Sequence, residues 1–158
     1  MKSKYISKHI TYSESIKSST AIRKGIKNIP SEYQLQNMSL VAEKIFEPLR
    51  EWVKGPIKVT SFFRCEELNK SIGGSSRSQH CDGRAIDVDD IYNYKSNAEM
   101  FYFIKENLNF DQMIWEFGDS TNPDWIHVSY VSDSINRNRI LKAVRDKGKT
   151  KYIDITNS

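Results

Sequence analysis

The sequence predicts an α+β fold, a small single domain with N-terminal helices packed on an antiparallel sheet. Two observations carry this. Over residues 32–53, Leu35, Met38, Ala42, Ile45, Leu49 and Trp52 recur at three- and four-residue steps, the apolar stripe of a core-facing helix. Beyond residue 56, short runs rich in β-branched and aromatic residues take over, at 57–63, 84–89, 111–117 and 124–131. At 158 residues, 38% hydrophobic and 28% charged, the chain suffices for one core and is too apolar for disorder. It shows no internal repeat and no linker. Residues 1–158 therefore read as one domain, with an N-terminal lead and helix over about 1–30 and a basic extension over about 133–158.

In chain order, an extended lead over 4–10 holds His9, read as a surface or packing histidine. Thr11-x-x-Glu14 is a capping box for a helix over about 12–24, stopped by Gly25. A loop through Asn28 and Pro30 follows. Ser31-x-x-Gln34 caps the long helix; Pro48 inside it removes a backbone donor and predicts a kink or break, and Gly55-Pro56 ends it. Arg64 stands at the end of the 57–63 strand, leading into a polar segment over 66–78 that turns at Gly73-Gly74. A helix around 96–108 precedes the last two strands, and 137–155 reads as a strand pair around Lys147-Gly148.

Chemistry concentrates in residues 78–89, Ser-Gln-His-Cys-Asp-Gly-Arg-Ala-Ile-Asp-Val-Asp. Asp82-Gly83 signals a tight turn. Beyond it, alternation sends Ile86 and Val88 to one face of a strand and Ala85, Asp87 and Asp89 to the other. His80, before the turn, and Asp87, after it, can then converge on one point. Imidazole nitrogen plus carboxylate oxygen suits zinc, and a catalytic zinc takes three protein ligands with one position open. His127, in Pro-Asp-Trp-Ile-His-Val-Ser-Tyr at 123–130, is the third candidate. The competing metal reading is a closed set of Cys65, His80, Cys81 and His127. Adjacent His80 and Cys81 point oppositely on an extended chain, however, and that set leaves Asp87 unexplained. Two cysteines are too few for a disulfide scaffold; Cys65 and Cys81 sit beside Arg64 and His80 and so could approach, but nothing implies an oxidising compartment.

Taken together, Ser78-x-His80-x-x-Gly83-x-Ala85-x-Asp87 and Asp124-x-x-His127-x-x-Tyr130 resemble the zinc D-Ala-D-Ala carboxypeptidase family. That family includes wall carboxypeptidases, D,D-dipeptidases and phage L-alanyl-D-glutamate endolysins. Thr60-Ser61-Phe62-Phe63-Arg64, Glu67-Leu68-Asn69, Gly73-Gly74-Ser75 and Trp115-Glu116-Phe117-Gly118 resemble its short single-domain branch, so the likeness spans about residues 5–132. It implies a hedgehog/DD-peptidase-like fold with zinc on His80, Asp87 and His127. It also implies hydrolysis of a peptide bond in the peptidoglycan stem by metal-activated water, whether as carboxypeptidase or as endolysin-type endopeptidase. By the same resemblance, Asp124 matches the acidic residue that handles the water proton, and Arg64 the arginine set against the carbonyl oxygen. Many relatives carry Glu where this chain has Asp124, which is one methylene shorter. Strict alternation sends Asp124 and His127 to opposite faces, so Asp124 is expected at the irregular start of its strand, after Pro123; Glu116 is the alternative base. Ser61, Ser78 and Tyr130 are candidates for hydrogen bonds to substrate or ligands, and Asp89 and Asp90 are read as solvated or supporting.

The N-terminus lacks the apolar region of a signal peptide, and no stretch could span a membrane. The expectation is a soluble monomer made in the cytoplasm that meets the wall after release or export. Net charge is +4, and between Arg137 and Lys151 seven Lys/Arg face one acid, Asp146. Such a tail suits an anionic wall, a membrane surface or nucleic acid, or is a solvated strand pair. No aromatic-interleaved basic motif supports sequence-specific nucleic-acid binding. Two readings compete with a peptidase: a zinc-binding wall-recognition or virion module without turnover, and a nucleic-acid binder driven by the tail. Exo versus endo cleavage stays open, because cleft shape decides it.

Overall fold

The computed structural model describes residues 4–158. Two short antiparallel strands, β1 (Tyr5–Ser7) and β2 (Ile10–Thr11), form the lead. The Thr11 capping box is present, but its helix is a single turn, α1 (Tyr12–Ser15), and a second helix, α2 (Ser19–Lys24), starts afresh from the Ser18 hydroxyl. The continuous helix expected over 12–24 is thus split. Tertiary partners take the carbonyls that a continuing helix would need: Phe63 N–H donates to Ser15 C=O at 3.0 Å and the Asn28 side-chain amide to Ile16 C=O at 2.9 Å. Gly25 ends α2 in the left-handed conformation, as expected.

The long helix runs as α3 (Glu32–Val41), a turn of π-helix over Ala42–Phe46, and α4 (Glu47–Val53). Glu47 N–H reaches back five residues to Ala42 C=O, directly before Pro48. The missing proline donor is thus absorbed by a widened turn rather than by a break. The predicted stripe is the buried one: Met38, Ala42, Ile45 and Leu49 are at most 1% exposed, while Trp52 at its end stacks on Phe103 at 4.5 Å.

The stripe covers one face of a six-stranded sheet with the order β3-β4-β6-β5-β7-β8. Its strands are β3 (Lys58–Ser61), β4 (Ala85–Asp89), β5 (Gln112–Glu116), β6 (Trp125–Ser129), β7 (Arg139–Asp146) and β8 (Lys149–Asp154). Two further helices complete the fold: α5 (Glu66–Ser71), and α6 (Asn97–Asn107), which packs beside α4. The sheet is mixed, which corrects the antiparallel expectation: β7 runs parallel to β5. The chain passes from β6 through 130–138 to the far side of β5 and meets it in the same sense. The polar segment after Arg64 is also corrected, since Cys65 Sγ caps α5 by accepting Leu68 N–H at 3.5 Å.

Alternation along the strands sorts the residues. Val59, Ile86, Val88, Met113, Trp115, Ile126, Val128 and Ile140 point into the helical core. Asp87, His127, Ile114, Glu116, Leu141 and Ala143 lie on the opposite face. A register shift between Val59 and Ser61 brings Ser61 opposite Asp87.

Asp111, 3% exposed, ties this arrangement together. Its carboxylate accepts from Gln79 at 2.9 Å, from Arg137 Nε and Nη2 at 2.9 and 2.7 Å, and from Arg137 N–H at 3.1 Å. It thereby links the turn that carries His80 to the start of β7. Asp111→Ala is expected to cost about 2–3 kcal/mol in denaturant unfolding, because four donors lose a charged acceptor. Burial raises the Asp111 pKa, but these donors outweigh it and hold it below the usual carboxylate range. Its contribution is therefore complete above the unfolded value near about 3.9 and is lost as pH falls through the lower folded value.

Candidate metal centre

His80 sits in a short 3-10 turn, Gln79–Asp82, opened by the Ser78 hydroxyl and closed by Gly83 at φ 73°. A Cβ at position 83 would lie 2.5 Å from Gln34 C=O, so this left-handed corner against α3 requires glycine. The turn swings His80 under the sheet edge, where it is 1% exposed. Asp87 and His127 are directly paired residues of β4 and β6, as are His127 and Ile114 of β6 and β5. One side-chain atom each of His80, Asp87 and His127 lies within 4.8 Å of the others. His80 Nε2 is 3.2 Å and His127 Nδ1 3.0 Å from the same atom, Asp87 Oδ1, and the imidazole centroids are 5.0 Å apart.

The donor chemistry fits a metal. His80 Nδ1 is 2.7 Å from Phe62 C=O. A carbonyl only accepts, so Nδ1 carries the proton, and in the neutral ring Nε2 presents a lone pair towards the Asp87 carboxylate. Burial lowers the His80 pKa, against the opposing pull of Asp87, so the neutral form is favoured. Burial raises Asp87, but the two histidines facing it outweigh this and hold its carboxyl below the usual carboxylate range. Two imidazole nitrogens and one carboxylate oxygen facing each other are the donor set of an open zinc site.

The third histidine, His9, lies elsewhere, with Nδ1 2.6 Å from Glu47 on α4. The cysteine-containing set is corrected: Cys65 caps α5, both cysteines are free, and neither joins the cluster among the described residues. Arg64 lies beside the centre. Its Nη2 donates to Ser78 Oγ at 3.3 Å, its backbone N–H to His80 C=O at 3.3 Å, and its buried Nε has no partner.

Glu116 stands on the face that carries Asp87 and His127, on the strand next to His127 and one step along from Ile114. It is 7% exposed. Burial pushes its pKa up to about 7; His127 and Arg64 pull it down and Asp87 pushes it up. Asp124 occupies the irregular start of β6 after Pro123. Its backbone N–H donates to Glu116 C=O at 2.9 Å and its C=O accepts from the Asn97 amide at 3.1 Å, while the residue is exposed. Ser78 supports both Arg64 and His80; Tyr130 bonds Asp133; Asp89 accepts from Asn97.

One residue at the site escaped sequence reasoning. Glu116 pairs with Ala143 on β7, and Ala143 with Tyr152 on β8, so Tyr152 shares the row of Glu116. Burial raises the Tyr152 pKa, and the charges of Glu116 and Asp87 raise it further against Arg64. The only local signal was one aromatic residue in a lysine-rich run, and without strand register it points nowhere.

A family model for Peptidase M15 matches residues 8–129. The chain belongs to the peptidase M15 family. This M15 protein is thus a zinc metallopeptidase, with zinc as its cofactor and His80, Asp87 and His127 gathered as a site for it. No individual curated protein matches the chain. The strand pair β7–β8, and Tyr152 with it, lies beyond the matched residues. Among the described residues no helix is long and apolar enough to cross a membrane.

Proposed function

We propose that this M15 peptidase hydrolyses a peptide bond in the peptidoglycan stem, with D-amino acids at or next to the cut, as a carboxypeptidase or an endolysin-type endopeptidase. The observation that carries the reading is the convergence of His80, Asp87 and His127 on a sheet face that also holds a buried carboxylate, Glu116, with Arg64 beside it. Zinc, when bound, acidifies water and polarises the scissile carbonyl. The chain's own groups do the rest. Glu116 takes the proton of the attacking water and passes it to the leaving amine as the C–N bond breaks. A carboxyl with a pKa near neutrality suits both halves of that transfer. Arg64 supplies a guanidinium charge where negative charge collects on the carbonyl oxygen. Asp124, the motif's acidic residue, is the competing proton carrier; its exposure favours Glu116.

Arg64→Ala is expected to lower kcat about 10²–10³-fold, with zinc content unchanged by atomic absorption. The reading itself is tested by mass spectrometry of purified muropeptides after incubation with the zinc-loaded protein and a chelator control. Release of a defined fragment only without chelator supports it and names the bond. Full zinc occupancy with every muropeptide intact would instead favour a binding module.

A further inference from the structure

A groove of about 360 Å³ runs along β3, on the side away from β4. Arg64 and Ser61 line it, and both adjoin the centre: Ser61 pairs with Asp87, and Arg64 contacts Ser78 and His80. Beyond them the lining includes Lys58, Thr60 and Lys17, with Ile72 as an apolar wall, and it contains no acidic residue. None of Lys17, Lys58 and Arg64 forms an ion pair among the described residues. Among the described residues Lys95, Arg137 and Arg139 are the cations that form ion pairs, and all three lie outside the groove.

The strand beside the groove is itself unfinished. β3 is the first strand of the sheet and, among the described residues, pairs only with β4; just past its end Phe63 N–H bonds Ser15 C=O, and residues 17–20 face it across the groove. An open strand edge takes up an extended peptide by continuing the hydrogen-bond ladder, with neighbouring side chains reading alternate residues. Three unpaired cations along that edge select negative charge.

We infer that this groove is the substrate's acidic subsite: an extended peptide lies along β3 and its carboxylates are read by Lys17 and Lys58, while Arg64 leads the chain to the zinc. The inference rests on the peptidase reading for the identity of the peptide, but not for the groove's charge preference. A mobile stem peptide with several free carboxylates meets that preference, whereas its amidated form does not.

The test compares a fluorescently labelled synthetic stem pentapeptide with the same peptide amidated at every carboxylate. Binding is followed by anisotropy on the zinc-loaded protein, using Glu116→Gln to hold the peptide uncut. The free-carboxylate peptide is expected to bind about fivefold or more tightly, with the difference shrinking as salt is raised. Adding Lys17→Gln and Lys58→Gln is expected to erase the difference, and Lys17→Arg with Lys58→Arg to keep it. Circular dichroism checks that these exposed-edge variants are folded. Equal binding of the two peptides, no binding of either, or a preference that survives the double glutamine change would overturn the inference. A preference that behaves as expected, with neither peptide cut by the wild-type enzyme, upholds the groove and removes the peptidase assignment instead.

Discussion

Glu116→Gln is expected to lower kcat about 10²–10⁴-fold on a muropeptide substrate while zinc stays bound at full occupancy. The change keeps shape and removes only the ability to take and return a proton. Asp124→Asn, at an exposed position just ahead of β6, is expected to retain activity within about tenfold by the same measure. Should the two results be reversed, the motif's aspartate is the proton carrier and Glu116 is only a neighbour. The pair of variants also predicts a stability difference that needs no substrate. A carboxyl whose folded pKa is raised, here to about 7, holds its proton more tightly folded than unfolded. The metal-free fold is therefore most stable below the unfolded value of about 4.3 and loses stability as pH rises to about 7, by about 3–4 kcal/mol in all. Metal-free Glu116→Gln lacks this loss. Relative to this variant, the chelated wild type should lose stability in denaturant melts steadily from about pH 4 to about pH 7, so that at pH 8 the variant is the more stable.

Asp87→Ala is expected to abolish both zinc retention on dialysis and all measurable hydrolysis, and His127→Ala to do the same. Each removes one of three converging donors, and two protein ligands do not hold a catalytic zinc. His9→Ala, which breaks only the contact with Glu47, should leave zinc content and rate unaltered. Thermal melts give a second readout. Zinc binds the folded state alone, so excess metal should stabilise the wild type by about 2.7 kcal/mol at a hundredfold excess over Kd. Asp87→Ala should show no such gain, and a zinc-dependent rise in its Tm would mean that other residues hold the ion.

Helices fill one face of the sheet, and the other is left for chemistry, with the cationic edge beside it. His80 comes from the turn rather than from a strand, which is why its carbonyl partner Phe62 and the tie from Gln79 to Asp111 matter for its aim. Loss of that tie is expected to loosen the metal site as well as the fold.

Local and periodic features of this protein were determined by the sequence alone. The helical stripe from Met38 to Leu49, both capping boxes, the Gly83 corner and the two faces of β4 follow from side-chain period and turn chemistry. The motifs at 78–89 and 123–130 named His80, Asp87 and His127 through their resemblance to a family, and the pairing of β4 with β6 brought them together. What the tertiary structure alone decided depends on contacts between distant residues. Asn28 and Phe63 capture carbonyls that end α1, β7 settles parallel to β5, and β8 carries Tyr152 into the row of Glu116. Burial that lifts Glu116 towards neutrality is of the same kind. Strand order, register and burial are set by which surfaces meet, and no residue's own neighbours in the chain encode that.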